Sequence, residues 1–86
     1  MLSTTLPLYA VKTNVGTTAV TTVVGDREVY LGESQSVGSR RAIIDVMSGS
    51  GAWLANTVAR LEREAAALAD AELFSAAEEL GIDLAA

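Results

Sequence analysis

The chain predicts an α+β fold: a three-stranded antiparallel β-meander followed by a short helix, a long helix and a C-terminal helix, packed on one face of the sheet. Three observations carry this. Residues 17–24 (TTAVTTVV) are β-branched at every position but Ala19, the composition of a pleated strand. Gly25-Asp26 follows at once and separates that run from a second β-prone run, the signature of a two-residue hairpin. Further on, Leu54, Val58, Leu61, Ala65 and Leu68 recur at steps of 4, 3, 4 and 3, the stripe of a helix with one apolar face.

The first strand is expected over 6–13 (LPLYAVKT), with Leu6, Leu8 and Ala10 on one face and Tyr9 and Val11 on the other. Pro7 lacks an N–H, which restricts the segment to a sheet edge or a strand start. Residues 1–5 are polar and are expected to fray. Asn14-Val15-Gly16 forms a turn, since Asn tolerates the left-handed region and Gly supplies it freely. The hairpin at Gly25-Asp26 sets Val24 opposite Arg27, Thr22 opposite Val29 and Val20 opposite Leu31. A three-residue loop at 14–16 sets Ala10 opposite Val20 and Leu8 opposite Thr22. The two turns, read separately, give one apolar face of Leu8, Ala10, Val20, Val24, Val29 and Leu31, and such agreement between levels is strong support.

The opposite face holds Tyr9, Val11, Ala19, Thr21, Val23, Glu28 and Tyr30. Thr and Tyr are good strand residues, so a solvated face is the preferred reading. A contact face is the alternative, because aromatic residues with few charges mark interface centres. Residues 32–39 (GESQSVGS) read as a loop that could extend the sheet through 34–37. Ser39 is placed as the N-cap of a short helix to Met47, with Ile43, Ile44 and Met47 as its apolar side. Arg40 and Arg41 stand in its first turn, where cations oppose the helix dipole by about 0.3–1 kcal/mol each. Solvation or an internal pair is preferred over a partner's acids.

The Gly/Ser connection at 48–51 is read as a helix–helix link with Ser50 as N-cap; it lacks the phosphate-loop pattern and any adjacent cation. The long helix is placed at 52–69, with Trp53 preferred as a core residue over an exposed anchor. From Leu68 the stripe would continue at Glu72 and Ser75, yet the apolar residues fall at Leu73, Phe74, Ala77 and Leu80. That rotation, with Asp70 as a good N-cap residue, predicts a break and a separate helix at 71–80 closed by Gly81. Length points the same way. An unbroken helix over 52–80 would span about 44 Å, against a diameter of roughly 31 Å for a compact domain of this size. It would overhang unless a second copy covered it. Leu54, Val58, Leu61 and Leu68 are expected against Val20, Val24, Val29 and Leu31, and Leu84 could fold back.

With 86 residues the chain is read as one small domain, 1–86, with its sheet over 6–31. It has no Cys and no His, which removes disulfides, thiolate metal sites and the commonest general base. No run of ~18–20 apolar residues is available for a membrane span, and the N-terminus lacks a basic leader segment, so a cytoplasmic location and no membrane partner are expected. The net charge is −5 and unevenly placed. Residues 1–49 hold four cations against four acids, whereas 50–86 hold two cations against seven acids. Direct nucleic-acid binding is not expected, for it needs a basic footprint. A partner protein with a basic surface fits, although an acidic solvated helix face explains the same tally.

Catalysis is not expected. The neighbouring acids Glu62/Glu64 and Glu78/Glu79 do not share a helix face, and Lys12 is the sole candidate base for a Ser nucleophile. No cofactor or metal is implied. In size, charge and ββ-then-helix order over its whole length, the chain resembles phage-encoded inhibitors, anti-CRISPR proteins among them. That resemblance implies an antagonist that occludes a basic, nucleic-acid-binding surface of a larger complex; no motif carries it, so it transfers no residue roles. The candidate contact residues are Glu72, Glu78, Glu79 and Asp83 on the helical half, Tyr9, Thr21 and Tyr30 on the sheet, and Arg40 and Arg41. The alternative is a self-associating assembly module, a homodimer or higher, using the sheet edge or the 52–69 helix.

Overall fold

The computed structural model describes residues 2–49 and 51–81; the side chains of residues 74 and 76–78 lie outside that description. Its elements are β1 (Tyr9–Lys12), β2 (Thr18–Val24), β3 (Arg27–Ser34), α1 (Ser39–Gly49) and α2 (Gly51–Leu80). The sheet is antiparallel with order β1-β2-β3, as the two turns require.

The register agrees with expectation near the turns and departs from it further on. Val24 pairs with Arg27, Thr22 with Val29 and Ala10 with Val20. Val20, however, faces Gly32 and not Leu31, because the ladder shifts between Val20 and Thr21. This bulge adds a residue to β3, keeps Leu31 wholly buried and carries the strand on to Ser34. β1 begins at Tyr9 and not at Leu6. Pro7 cannot donate to the ladder, so Leu6 and Leu8 reach the core from outside the strand. Residues 2–5 do not simply fray. The Leu2 N–H donates to the Met47 carbonyl at 3.0 Å, and Leu2 packs on the core.

Both helices lie on the inner face. Val20, Val24 and Leu31 from the sheet form one cluster with Ala42, Val46 and Met47 of α1 and Leu54, Val58 and Leu61 of α2. The buried side of α1 is therefore turned from the expected Ile43–Ile44–Met47 set: Ile43 is half-buried and Ile44 is exposed. The cause is close approach at the bulge. A Cβ on Gly32 would stand 3.0 Å from Val46 Cγ1, so only glycine lets Val46 in. The Gly38 carbonyl accepts the Ala42 N–H at 2.9 Å, which makes Gly38, one residue earlier than expected, the cap of α1.

Polar bonds fix α1 to the end of β3. Ser34 Oγ and Ser36 Oγ each donate to Asp45 Oδ2 at 2.8 Å, and Thr18 Oγ1 donates to the Ser36 carbonyl at 2.8 Å. These bonds, Ser36 first, hold the Asp45 carboxyl below its usual range against a desolvation that pushes it up.

The expected break at Asp70 is absent: α2 is one helix of 30 residues, about 45 Å long. No Gly or Pro stands between Ala52 and Leu80, and leaving the i→i−4 ladder at Asp70 would orphan backbone groups for a single side-chain bond. The rotation of the apolar stripe does not require a break either, since both stripes need not face one core. The molecule measures 52 × 26 × 16 Å with a radius of gyration of 16.5 Å, well beyond the ~12 Å of a compact domain. Gly81, at φ 72°, closes the helix as expected. Trp53 is 57% exposed; the adjacent Leu54 holds the core position, and one helical step turns Trp53 about 100° away. The proposed N-cap Ser50 and the terminal Ile82, Asp83 and Leu84 lie outside the described residues.

Candidate functional site

Two surfaces remain without a covering element. The first is the far part of α2. Leu54, Val58 and Leu61 are buried, Ala65 is half-buried, and Leu68 is already 44% exposed. Beyond it Asp70, Ala71, Glu72, Leu73, Ser75, Glu79 and Leu80 are all exposed. No cation follows Arg63, so this stretch is acidic throughout. Nearer the sheet the acids of α2 are engaged: Glu64 pairs with Arg27 of β3, and Glu62 accepts from Thr5 Oγ1 at 3.4 Å. The expected contact residues Glu72 and Glu79 are thus on the free surface. The Glu78 side chain and Asp83 lie outside the described residues.

The second surface is the outer face of the sheet. The register places Tyr9, Thr21 and Tyr30 on one rung across all three strands, so the structure brings these three predicted residues together. The tyrosines are about half exposed while Thr21 between them is buried. Adjacent strands are about 4.8 Å apart, so the threonine stands one strand away from each tyrosine. One end of this face is pinned by a polar chain. Tyr30 OH donates to Glu33 Oε1 at 3.1 Å, Thr17 Oγ1 donates to Glu33 Oε2, and Thr17 Oγ1 lies 2.7 Å from Thr13 Oγ1. These bonds, Thr17 first, hold the Glu33 carboxyl below its usual range. Lost water contact and the Glu33 carboxylate together push the Tyr30 hydroxyl up. Tyr30 was a candidate from sequence, but Glu33 and Thr17 were not; the signal available was the place of Glu33 two residues beyond Leu31 on an alternating strand, which the bulge obscures.

Arg40 and Arg41 do not join either surface. Arg41 Nε lies 3.3 Å from Asp45 Oδ1 one turn along α1, so its partner is an acid of its own helix and not of the C-terminal helix, and Arg40 has no ion-pair partner among the described residues. A cleft of about 590 Å³ between β3 and α2, lined by Arg27, Tyr30, Arg60 and Glu64, was not foreseen. Arg27 and Glu64, which pair with each other, both line it. No group of three or more acids among the described residues is placed to hold a metal, and no helix among them is long and apolar enough to cross a membrane.

No protein-family model, curated protein or solved structure matches the chain.

Proposed function

We propose that this is a non-catalytic protein-binding module that uses the acidic projection of α2 to occupy a basic surface on a larger partner, in the manner of the phage-encoded inhibitors it resembles. One observation carries the reading: α2 leaves the sheet near Leu68 and continues for about 18 Å as an exposed helix bearing Asp70, Glu72 and Glu79 with no cation among them. Opposite charge on a partner raises the encounter rate and fixes orientation more than it raises final affinity.

Affinity capture from the native host, read by mass spectrometry, tests it with two baits: the wild-type chain and a Glu72→Gln/Glu78→Gln/Glu79→Gln variant. A basic protein held by the first, released by salt and not held by the second, supports the reading. Equal capture by both baits sinks it.

Self-association is the second reading, favoured by the exposure of Leu73 (58%) and Leu80 (73%) on the projecting helix. A molar mass that rises with concentration supports it. A constant monomer mass removes it.

A further inference from the structure

We propose that the outer face of the sheet carries a slot for one basic side chain, arginine or lysine, of a partner polypeptide. This site is separate from the α2 projection and shares with it only the sign of the charge it selects.

The slot is a shallow depression of about 250 Å³ lined by Tyr9, Val11, Thr21, Val23 and Glu28. That is below the ~300–1,000 Å³ of a pocket for a drug-sized ligand; it suits a single long side chain. Its floor is apolar: Val11 and Val23 are exposed on adjacent strands, and Thr21, largely buried, lines it between them. The outward positions of the ladder are Tyr9, Val11, Ala19, Thr21, Val23, Glu28, Tyr30 and Glu33, and none is a cation.

The two acids of this face differ. Glu33 is satisfied by Thr17 and Tyr30. Glu28 has no hydrogen-bond or ion-pair partner among the described residues. Glu28 thus stands on the ridge between this depression and the β3–α2 cleft that Arg27 and Arg60 also line, and its carboxylate pairs with neither cation.

The chemistry of that ridge selects its occupant. A neutral apolar side chain would draw water away from Glu28 and leave its charge unpaired, which is costly. An acidic side chain would be repelled. Arginine or lysine lays its aliphatic stem on Val11 and Val23 and brings its cation within reach of both the Tyr9 ring and the Glu28 carboxylate. Cation–π attraction and a charge-assisted hydrogen bond then act on the same group.

The test is an amide NMR titration of the full chain with the capped tripeptide acetyl-Gly-Arg-Gly-amide, and with its Gln counterpart as control. Saturable shifts at Tyr9, Val11, Thr21, Val23 and Glu28 are expected with the Arg peptide and not with the Gln peptide. Glu28→Gln, at an exposed position where the fold has no stake, weakens binding about fivefold, and so does Tyr9→Leu, which keeps the apolar area but loses the ring. Equal shifts with both peptides, or undiminished affinity in Glu28→Gln, overturn the slot. Shifts confined to residues 70–80 also overturn it and leave the α2 reading standing. Shifts in the slot with none on α2 uphold it whatever becomes of that reading.

Discussion

Leu68 Cδ1 stands 3.1 Å from the place a Cβ on Gly25 would take, so α2 meets the β2–β3 turn there and then runs past the end of the sheet. The helix is thus two stretches with different work: a buried half that holds the core and a projecting half with no described residue in the core cluster. Truncations along it should divide at that point. Leu61→Ala, at a fully buried site, is expected to cost about 2–5 kcal/mol, a large share of the stability of so small a domain. Leu73→Ala should cost under about 0.5 kcal/mol, as exposed sites do. Chemical-denaturation midpoints of the two variants check this, and equal shifts would mean that the projecting half is packed in solution.

Gly32 is expected to tolerate no side chain. Its φ of 154° and the 3.0 Å approach of Val46 Cγ1 act together, and Val46 is itself buried in the core. Gly32→Ala should destabilise by about 1–3 kcal/mol through strain and overpacking. Gly16→Ala meets no atom within 4 Å and should show only the smaller backbone penalty of its φ of 86°. Thermal melts of both variants give the comparison.

Thr22 is fully buried between core residues, and its Oγ1 finds no hydrogen-bond partner among the described residues. Replacing it by valine keeps the shape and removes an unsatisfied hydroxyl. Thr22→Val should therefore stabilise the fold by about 1 kcal/mol, a rise in Tm of about 4–8 °C for a domain of this size. A lower Tm would show that the hydroxyl is paired in solution.

Acid should loosen the junction between β3 and α1. Asp45 and Glu33 both have carboxyls held below their ordinary values of 3.8 and 4.5, so each contributes stability that is complete above those values. It is lost as pH falls through the lower, folded values. Tyr30 acts in the opposite direction: its hydroxyl is raised above 10.0, so its contribution is complete below that value and fades as pH climbs through the raised one. Denaturation midpoints measured from pH 7 downward should fall below about pH 4.5, and Asp45→Asn should flatten that fall. An unchanged acid limb in Asp45→Asn would show that the Ser34–Asp45–Ser36 bonds do not persist.

The strands, their order and the inner face were legible because two turns and one alternating pattern demanded the same pairing. Val24↔Arg27 and Ala10↔Val20 followed from loop length alone. Gly32 hid the bulge, since a glycine after Leu31 reads equally as the start of a loop. Trp53 and Ile44 were misplaced for a shared reason: composition marks a residue as apolar, but only the helix phase set by its neighbours decides which way it turns. The end of α2 was misread by assuming compactness. The diameter of a compact domain argued against an overhang without a second copy to cover it, whereas Leu73 and Leu80 lie exposed on a helix that has left its sheet. Of the candidate contacts, the Tyr9–Thr21–Tyr30 rung was readable from register, while the free Glu28 beside it needed the partners of every other acid on that face.

The binding proposals for α2 depend on its being one rod that carries its acids away from the sheet. The chain has no cysteine, so Ala52→Cys and Glu79→Cys, both exposed, take spin labels cleanly for an electron–electron distance measurement. One continuous helix separates the two backbone sites by about 40 Å and gives a single narrow distribution near that value, with no change when the sample is diluted. A distribution centred below about 30 Å, as a turn at Asp70 would produce, would contradict the projecting helix and the partner-binding role built on it.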